Sequence, residues 1–221
     1  MTQTVLLINP NTSLQTTALM LRSARLALAQ PLELVTATAA RGASMIVSEA
    51  DLALSAQEVL AIGLAQATQV DAMLISAFGN PGLDALRGQV RVPVVGIGEA
   101  AMLEAASGGR RFGIATTTPG LELSIAQAVA RLGLSAQFTG VRIPPGDPLV
   151  LAANPDLQAE RLADAVRACV DEDGAAAVVI GGGPLAESAD RLARQLAVPV
   201  ISPVAAGMRR VLRELQRLQL S

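Results

Sequence analysis

The sequence predicts an α/β protein built as two pseudo-symmetric lobes, each a doubly wound parallel sheet. Three observations carry that expectation. Short apolar runs alternate with helical stretches along all 221 residues, the pattern of parallel strands joined by crossover helices. The runs are continuously apolar, as strands covered on both faces are. The second half then repeats the order of the first, which reads as an internal duplication.

The elements follow in order. A strand at 5–8 (Val5-Leu6-Leu7-Ile8) runs into the polar loop Asn9-Pro10-Asn11-Thr12-Ser13 and a helix over 13–29. A strand at 32–36, a helix over 50–67 and a strand at 72–76 come next. That third strand ends in Ala77-Phe78-Gly79-Asn80-Pro81-Gly82-Leu83, with a helix over 81–88. A short strand at 94–95 and a helix over 99–107 complete the first unit. The pattern restarts with a strand at 112–115, the loop Thr116-Thr117-Thr118-Pro119 and a helix over 121–132. A strand at 136–140, a helix over 155–170 and a strand at 176–180 follow. The turn Gly181-Gly182-Gly183-Pro184-Leu185 then opens a helix over 184–196, before a strand at 198–201 and a helix over 205–219. The stretches 72–95 and 176–201 share one register, apart from a few residues before Val198-Pro199-Val200. This places a first lobe at 1–97 and a second at 98–202. The final helix, within 203–221, corresponds to 99–107 and packs back on the first lobe.

Composition narrows the function. The chain is 51% hydrophobic, 16% charged and 1% aromatic, so its core is Ala, Leu, Val and Ile. Net charge is −2, with no basic run and no aromatic stacking platform, which argues against a nucleic-acid partner. There is no histidine, so a Ser-His-Asp triad and the commonest metal ligand are absent. The single cysteine, Cys169, excludes an internal disulfide and a Cys-rich zinc site. No metal or organic cofactor is indicated. No stretch approaches the ~18 apolar residues of a membrane span, and no signal-peptide pattern opens the chain. A soluble cytoplasmic protein without a membrane partner is the expectation.

Ligands of open α/β sheets bind outside the carboxyl ends of the strands, where all of these loops lie. Helix N-termini there present free N–H groups and a partial positive charge, suited to a small carboxylate. Phosphate is disfavoured, because no phosphate-binding glycine motif occurs. Asn11, Thr12 and Ser13 are helix-capping types that also bind ligand oxygens, and Thr116, Thr117 and Thr118 pose the same choice. Asn80 caps a helix or bonds a ligand amide or carboxylate. Phe78, beside Gly79, walls a pocket or packs beneath the turn. Gly182, Gly183 and Pro184 form an uncluttered turn whose backbone N–H groups suit an oxyanion. With His absent, Glu99 is the nearest remaining acid or base. Asp84 and Glu187 read as solvated, and Arg110 and Arg111 as surface charges.

At these residues the chain resembles the aspartate/glutamate/hydantoin racemase superfamily, most closely its hydantoin racemase branch. The matching pieces are Ile8-Asn9-Pro10-Asn11-Thr12-Ser13, Phe78-Gly79-Asn80-Pro81-Gly82-Leu83, Val95-Gly96-Ile97-Gly98-Glu99-Ala100, Thr116-Thr117 and Val198-Pro199-Val200-Ile201. The resemblance implies two lobes with the site between them, and racemisation by two cysteines on opposite faces of a substrate α-carbon. Those cysteine positions fall on Ala77 and Gly182, neither of which carries a proton. Cys169 sits late in a helix, on the side away from the cleft, and reads as a packed core residue. The resemblance therefore implies a small carboxylate, amide or hydantoin-like cyclic ureide as partner, with two-thiol racemisation ruled out for this sequence. Two alternatives stand beside it. One is a single-thiol hydrolase or decarboxylase whose cysteine at position 77 has become alanine. The other is a non-catalytic binding protein on the same scaffold. Relatives of this kind assemble as homo-oligomers, and the same is expected here.

Overall fold

Two four-stranded parallel sheets carry the fold, one in each half of the chain. The computed structural model describes residues 2–28, 31–193 and 197–220, without the side chains of residues 184, 186, 187 and 190. In the first sheet the strands β1 (Thr4–Asn9), β2 (Glu33–Thr38), β3 (Ala72–Ile75) and β4 (Val94–Gly96) lie in the order β2-β1-β3-β4. In the second, β5 (Phe112–Ala115), β6 (Phe138–Arg142), β7 (Ala177–Ile180) and β8 (Val200–Ile201) lie in the order β6-β5-β7-β8. The two orders are the same with four added to each strand number, so the predicted duplication is a duplication of topology.

The helices are α1 (Leu14–Leu26), α2 (Glu49–Gln66), α3 (Leu83–Arg87), α4 (Ile97–Ala105), α5 (Glu122–Arg131), α6 (Pro148–Ala153), α7 (Pro155–Asp171), α8 (Ala186–Ala193) and α9 (Pro203–Gln219). Each central strand is apolar on both faces because each is covered twice. Leu6, Ile8, Met73 and Ile75 pack outward under α2 and α3, with Val59 and Leu86. Val178 and Ile180 pack under α7 and α8, with Leu162 and Val166. The opposite faces, with Leu7, Leu74, Ile114 and Val179, share one core that runs through both halves.

The middle layer explains that shared core. α4 follows β4 but packs on β7 and β8, whereas α9 follows β8 and packs on β3 and β4. The two helices also lie against each other, tied by an Arg209–Glu104 ion pair at 2.7 Å. Gly207 lets α9 approach closely, since a Cβ there would stand 2.7 Å from Leu74 Cδ1.

Element ends depart from expectation for local reasons. The helix expected at 81–88 begins only at Leu83, because Asn80 (φ 50°) and Gly82 (φ 70°) are both left-handed and prolong the turn. α4 begins at Ile97 rather than 99, because its first N–H groups find a cap. β6 starts two residues late, because the N–H groups of Gln137 and Phe138 close a turn on Leu134 O. α6 was not anticipated, although its signal is present: Asp147 Oδ1 accepts from Leu149 N and Val150 N, and Pro148 takes the first helical position. The helix expected over 13–29 ends at Leu26, where Ala27 caps it and its N–H closes back on Ser23 O and Ala24 O. That expected over 184–196 starts at Ala186 after the turn Gly183–Leu185 and is described to Ala193; residues 29 and 194–196 lie outside the described residues.

Candidate functional site

β3 and β7 are the inner strands on the seam side of their sheets, and each ends in one of the two glycine turns. The turns meet. A Cβ on Gly183 would lie 3.0 Å from the Ser76 carbonyl oxygen and 2.6 Å from Met20 Sδ, both in the first half of the chain. A Cβ on Gly181 would lie 3.4 Å from the Phe78 ring and 3.0 Å from Thr116 Cβ. The second turn therefore lacks side chains where it touches the first. Ala77 and Gly182, one in each turn, are both half-buried. A Cβ at Gly182 would meet the flexible Leu185 side chain at 3.1 Å and nothing nearer.

Unpaired donors lie in the loops on both sides of this seam. The backbone N–H groups of Phe78, Gly79, Thr117, Thr118 and Gly183 donate to no other described residue. Thr117 is 1% exposed, and its hydroxyl has no partner among the described residues. Its neighbours are committed: Thr116 Oγ1 donates to Gly181 O at 2.6 Å and shares a 3.0 Å hydrogen bond with Thr118 Oγ1. The Thr116 hydroxyl thus bolts the loop Thr116–Thr118 to the glycine turn, and of the three threonines only Thr117 keeps a hydroxyl without a partner among the described residues; the buried Ser76 hydroxyl, beside Ala77, is likewise unpartnered. Phe78 is 7% exposed, belongs to the shared core and packs against Gly181 of the other turn.

The N-terminal loop is mostly occupied with itself. Asn9 was not singled out, yet it organises the loop: its Nδ2 donates to Asn11 Oδ1, Ser13 O and Thr17 Oγ1. A fully buried asparagine at a strand end is the signal that marks it. Asn11 Oδ1 also accepts from Ser13 N, and Ser13 Oγ caps α1 by accepting from Thr16 N. Thr12 N donates to Ala43 O. What remains for a ligand from this loop is the Asn11 amide nitrogen, the Thr12 hydroxyl and the Ser13 O–H, none of which donates to another described residue.

Asn80 resolves as a cap. Its Oδ1 accepts from Gly98 N at 2.9 Å and Glu99 N at 3.4 Å, the open start of α4. Glu99 is engaged elsewhere, bridged by both Arg87 nitrogens at 2.9 Å, so its place as an available acid or base is corrected. Arg110 is also more than a surface charge. Its guanidinium donates to Glu104 O and Ala105 O and closes the C-terminal end of α4, while Arg111 donates to Asp173 O. Asp84 is exposed, 4.0 Å from Arg87. Pro184 lies in the tight turn Gly183–Leu185, and its side chain, like that of Glu187, is outside the described residues. Cys169 is fully buried in the outer core of the second half, and burial pushes its thiol up to about 12. Its Sγ abuts Gly113, at 3.0 Å from where a Cβ would be.

Residues 5–211 match the Asp/Glu/hydantoin racemase family. The chain belongs to that family. It is 32% identical over 203 residues to a hydantoin racemase of Pseudomonas sp. (strain NS671), covering 91% of this chain and 82% of the relative. It is 33% identical over 204 residues to a hydantoin racemase of Rhizobium meliloti, covering 92% and 85%. Among solved structures, an allantoin racemase from Klebsiella pneumoniae superposes with a TM-score of 0.92 at 32% identity, covering 99% of this chain and 89% of that one. In this racemase-family chain two surface hollows among the described residues, of about 670 and 370 Å³, lie away from the seam. The larger is lined by Arg87, Glu99, Arg210 and Glu214, whose charges already pair with one another. Among the described residues no helix is long and apolar enough to cross a membrane.

Proposed function

We propose that the chain binds a small carboxylate, amide or cyclic ureide at the seam between the two turns, and that it does not racemise it by a two-thiol route. Residues 1–97 and 98–202 are taken as the lobes that close on the ligand. The observation that carries the reading is that unpaired backbone N–H groups and the Thr117 hydroxyl lie in the loops of the seam that holds Ala77 and Gly182, two residues with nothing to ionise. Such donors stabilise an anionic or carbonyl oxygen. The names of the relatives, hydantoin and allantoin racemases, favour a ureide ring. Proton transfer α to a carbonyl needs an acid and a base on opposite faces of the carbon. Glu99 is held by Arg87, and Cys169 is dry and protonated at neutral pH.

Thermal unfolding with hydantoin, allantoin and simple carboxylates tests binding. A true ligand at about 100-fold over its Kd raises Tm by roughly 5–10 °C in a chain of this size. Exchange of the ligand's α-proton into deuterated water, followed by NMR, is expected to run at the buffer rate. A flat Tm across the whole panel removes the binding reading, and exchange clearly above buffer removes the second half of the proposal.

A further inference from the structure

The segment between β2 and α2, residues 39–48, touches the polar loop at Thr12 in the first half and, in the second, the turn Pro119–Leu121 that follows the loop Thr116–Thr118. At its start, Ala40 N and Arg41 N donate to Glu58 Oε2 at 3.2 and 3.3 Å, fixing it to α2. Midway, Ala43 O accepts from Thr12 N at 3.1 Å. Near its end, the Val47 carbonyl lies on Gly120, where a Cβ would stand 2.4 Å from that oxygen. The first residue of α2 then reaches across: Glu49 Oε1 accepts from Ser124 N at 3.1 Å, and Oε2 accepts from Ser124 Oγ. α5 has no cap of its own, because Leu121 precedes it and offers no acceptor side chain. Glu49 supplies the missing cap from the other half of the molecule, and a carboxylate there also suits the helix dipole.

We propose that residues 39–48 form a strap across the seam between the two halves and that Glu49 is its latch. Glu49 is a positioning residue: through α5 and Gly120 it holds the loop Thr116–Thr118 against the loop Asn11–Ser13. The strap's coupling stands on these contacts alone, whereas its control of ligand access rests on the seam being the ligand site, as proposed above.

Amide hydrogen exchange in Glu49→Ala, Glu49→Gln and Gly120→Ala tests it. The informative amide is Thr12, which bonds Ala43 O and touches neither Glu49 nor Ser124. Losing a cap and its charge corresponds to about tenfold in local opening, so Thr12 exchange rises about tenfold in Glu49→Ala. Glu49→Gln keeps an acceptor for Ser124 N and returns most of the protection. Gly120→Ala pushes on the Val47 carbonyl and gives the Glu49→Ala result with Glu49 intact. Unchanged Thr12 exchange in both Glu49→Ala and Gly120→Ala overturns the strap. With hydantoin as probe, dissociation read from NMR line shapes is about tenfold faster in Glu49→Ala and near native in Glu49→Gln, by the same equilibrium. An unaltered dissociation rate beside faster Thr12 exchange overturns the role in access. Failure of the native chain to bind hydantoin counts against the access role and the ureide reading together, with the strap still decided by Thr12.

Discussion

The two turns at the seam occupy equivalent places in equivalent sheets, yet they are secured by different chemistry. In the first, Asn80 adopts a left-handed backbone and sends its side chain to the start of α4. In the second, the matching position is Leu185, which is buried and apolar. The start of α9 accordingly has no side-chain cap, and the hydroxyl of Ser202 is buried without a partner among the described residues. Pro203 at the first helical position relieves part of that need, because it has no N–H to satisfy. α5 goes further and takes its cap from Glu49 in the opposite half. Duplication preserved the strand order, and the halves then diverged until the second came to lean on the first.

The strongest way to break the contrast between the turns is to give them one chemistry. The double variant Ala77→Cys, Gly182→Cys places a thiol in each. A general acid or base typically contributes 10²–10⁴-fold, so α-proton exchange of a bound hydantoin is expected to rise at least about 100-fold over the native chain. Each single variant should fall well short of that. Deuterium incorporation followed by NMR measures it, and a double variant no faster than the native chain would show that the turns do not flank a substrate carbon.

Next in size is the start of α4 against the start of α9. A Cβ on Gly98 would lie 1.9 Å from Phe78 O, whereas its counterpart Val204 already carries a side chain. Gly98→Ala is expected to cost about 3 kcal/mol in urea unfolding, as overpacking against backbone does. Asn80→Ala, which removes the cap, should cost about 1–2 kcal/mol. Equal, negligible costs for the two would mean that the Asn80 bond does not organise the first turn.

The smallest effect compares the carboxylates of the two halves. The Arg41 guanidinium beside Glu58 holds its carboxyl below the usual range, and Arg142 does the same for Asp173. A folded pKa below the unfolded one gives stability that is complete above about pH 5 and lost as pH falls through the lowered value. Tm should therefore drop on acidification, and Glu58→Gln and Asp173→Asn should each flatten part of that drop. A Tm profile unchanged by either substitution would show that these pairs are screened to insignificance.

Much of this was legible in the sequence because it is local. The run Ala72-Met73-Leu74-Ile75 declares a strand covered on both faces, and the place of Cys169 on the apolar face of an amphipathic helix, in line with Leu162, Ala165 and Val166, declares a packed thiol. Asn80 stayed ambiguous because its partners lie 18 and 19 residues away, in a helix whose start depends on the bond itself. The latch was invisible for the same reason at greater range, since Glu49 and Ser124 are 75 residues apart. The engagement of Glu99 is invisible in the sequence because nothing near it announces Arg87, 12 residues away. Chain-local patterns fix elements, and long-range polar pairs fix which side chains are left free for a ligand.

The crossed placement of α4 and α9 has a consequence for how the protein is made. A ribosome that has finished residue 202 has produced every strand of both sheets. It has not yet produced the 17-residue helix that covers the inner face of the first one. The oldest part of the polypeptide therefore waits, wet on one side, for the youngest, and nascent chains stalled short of the last helix should be wards of a chaperone rather than half-built proteins.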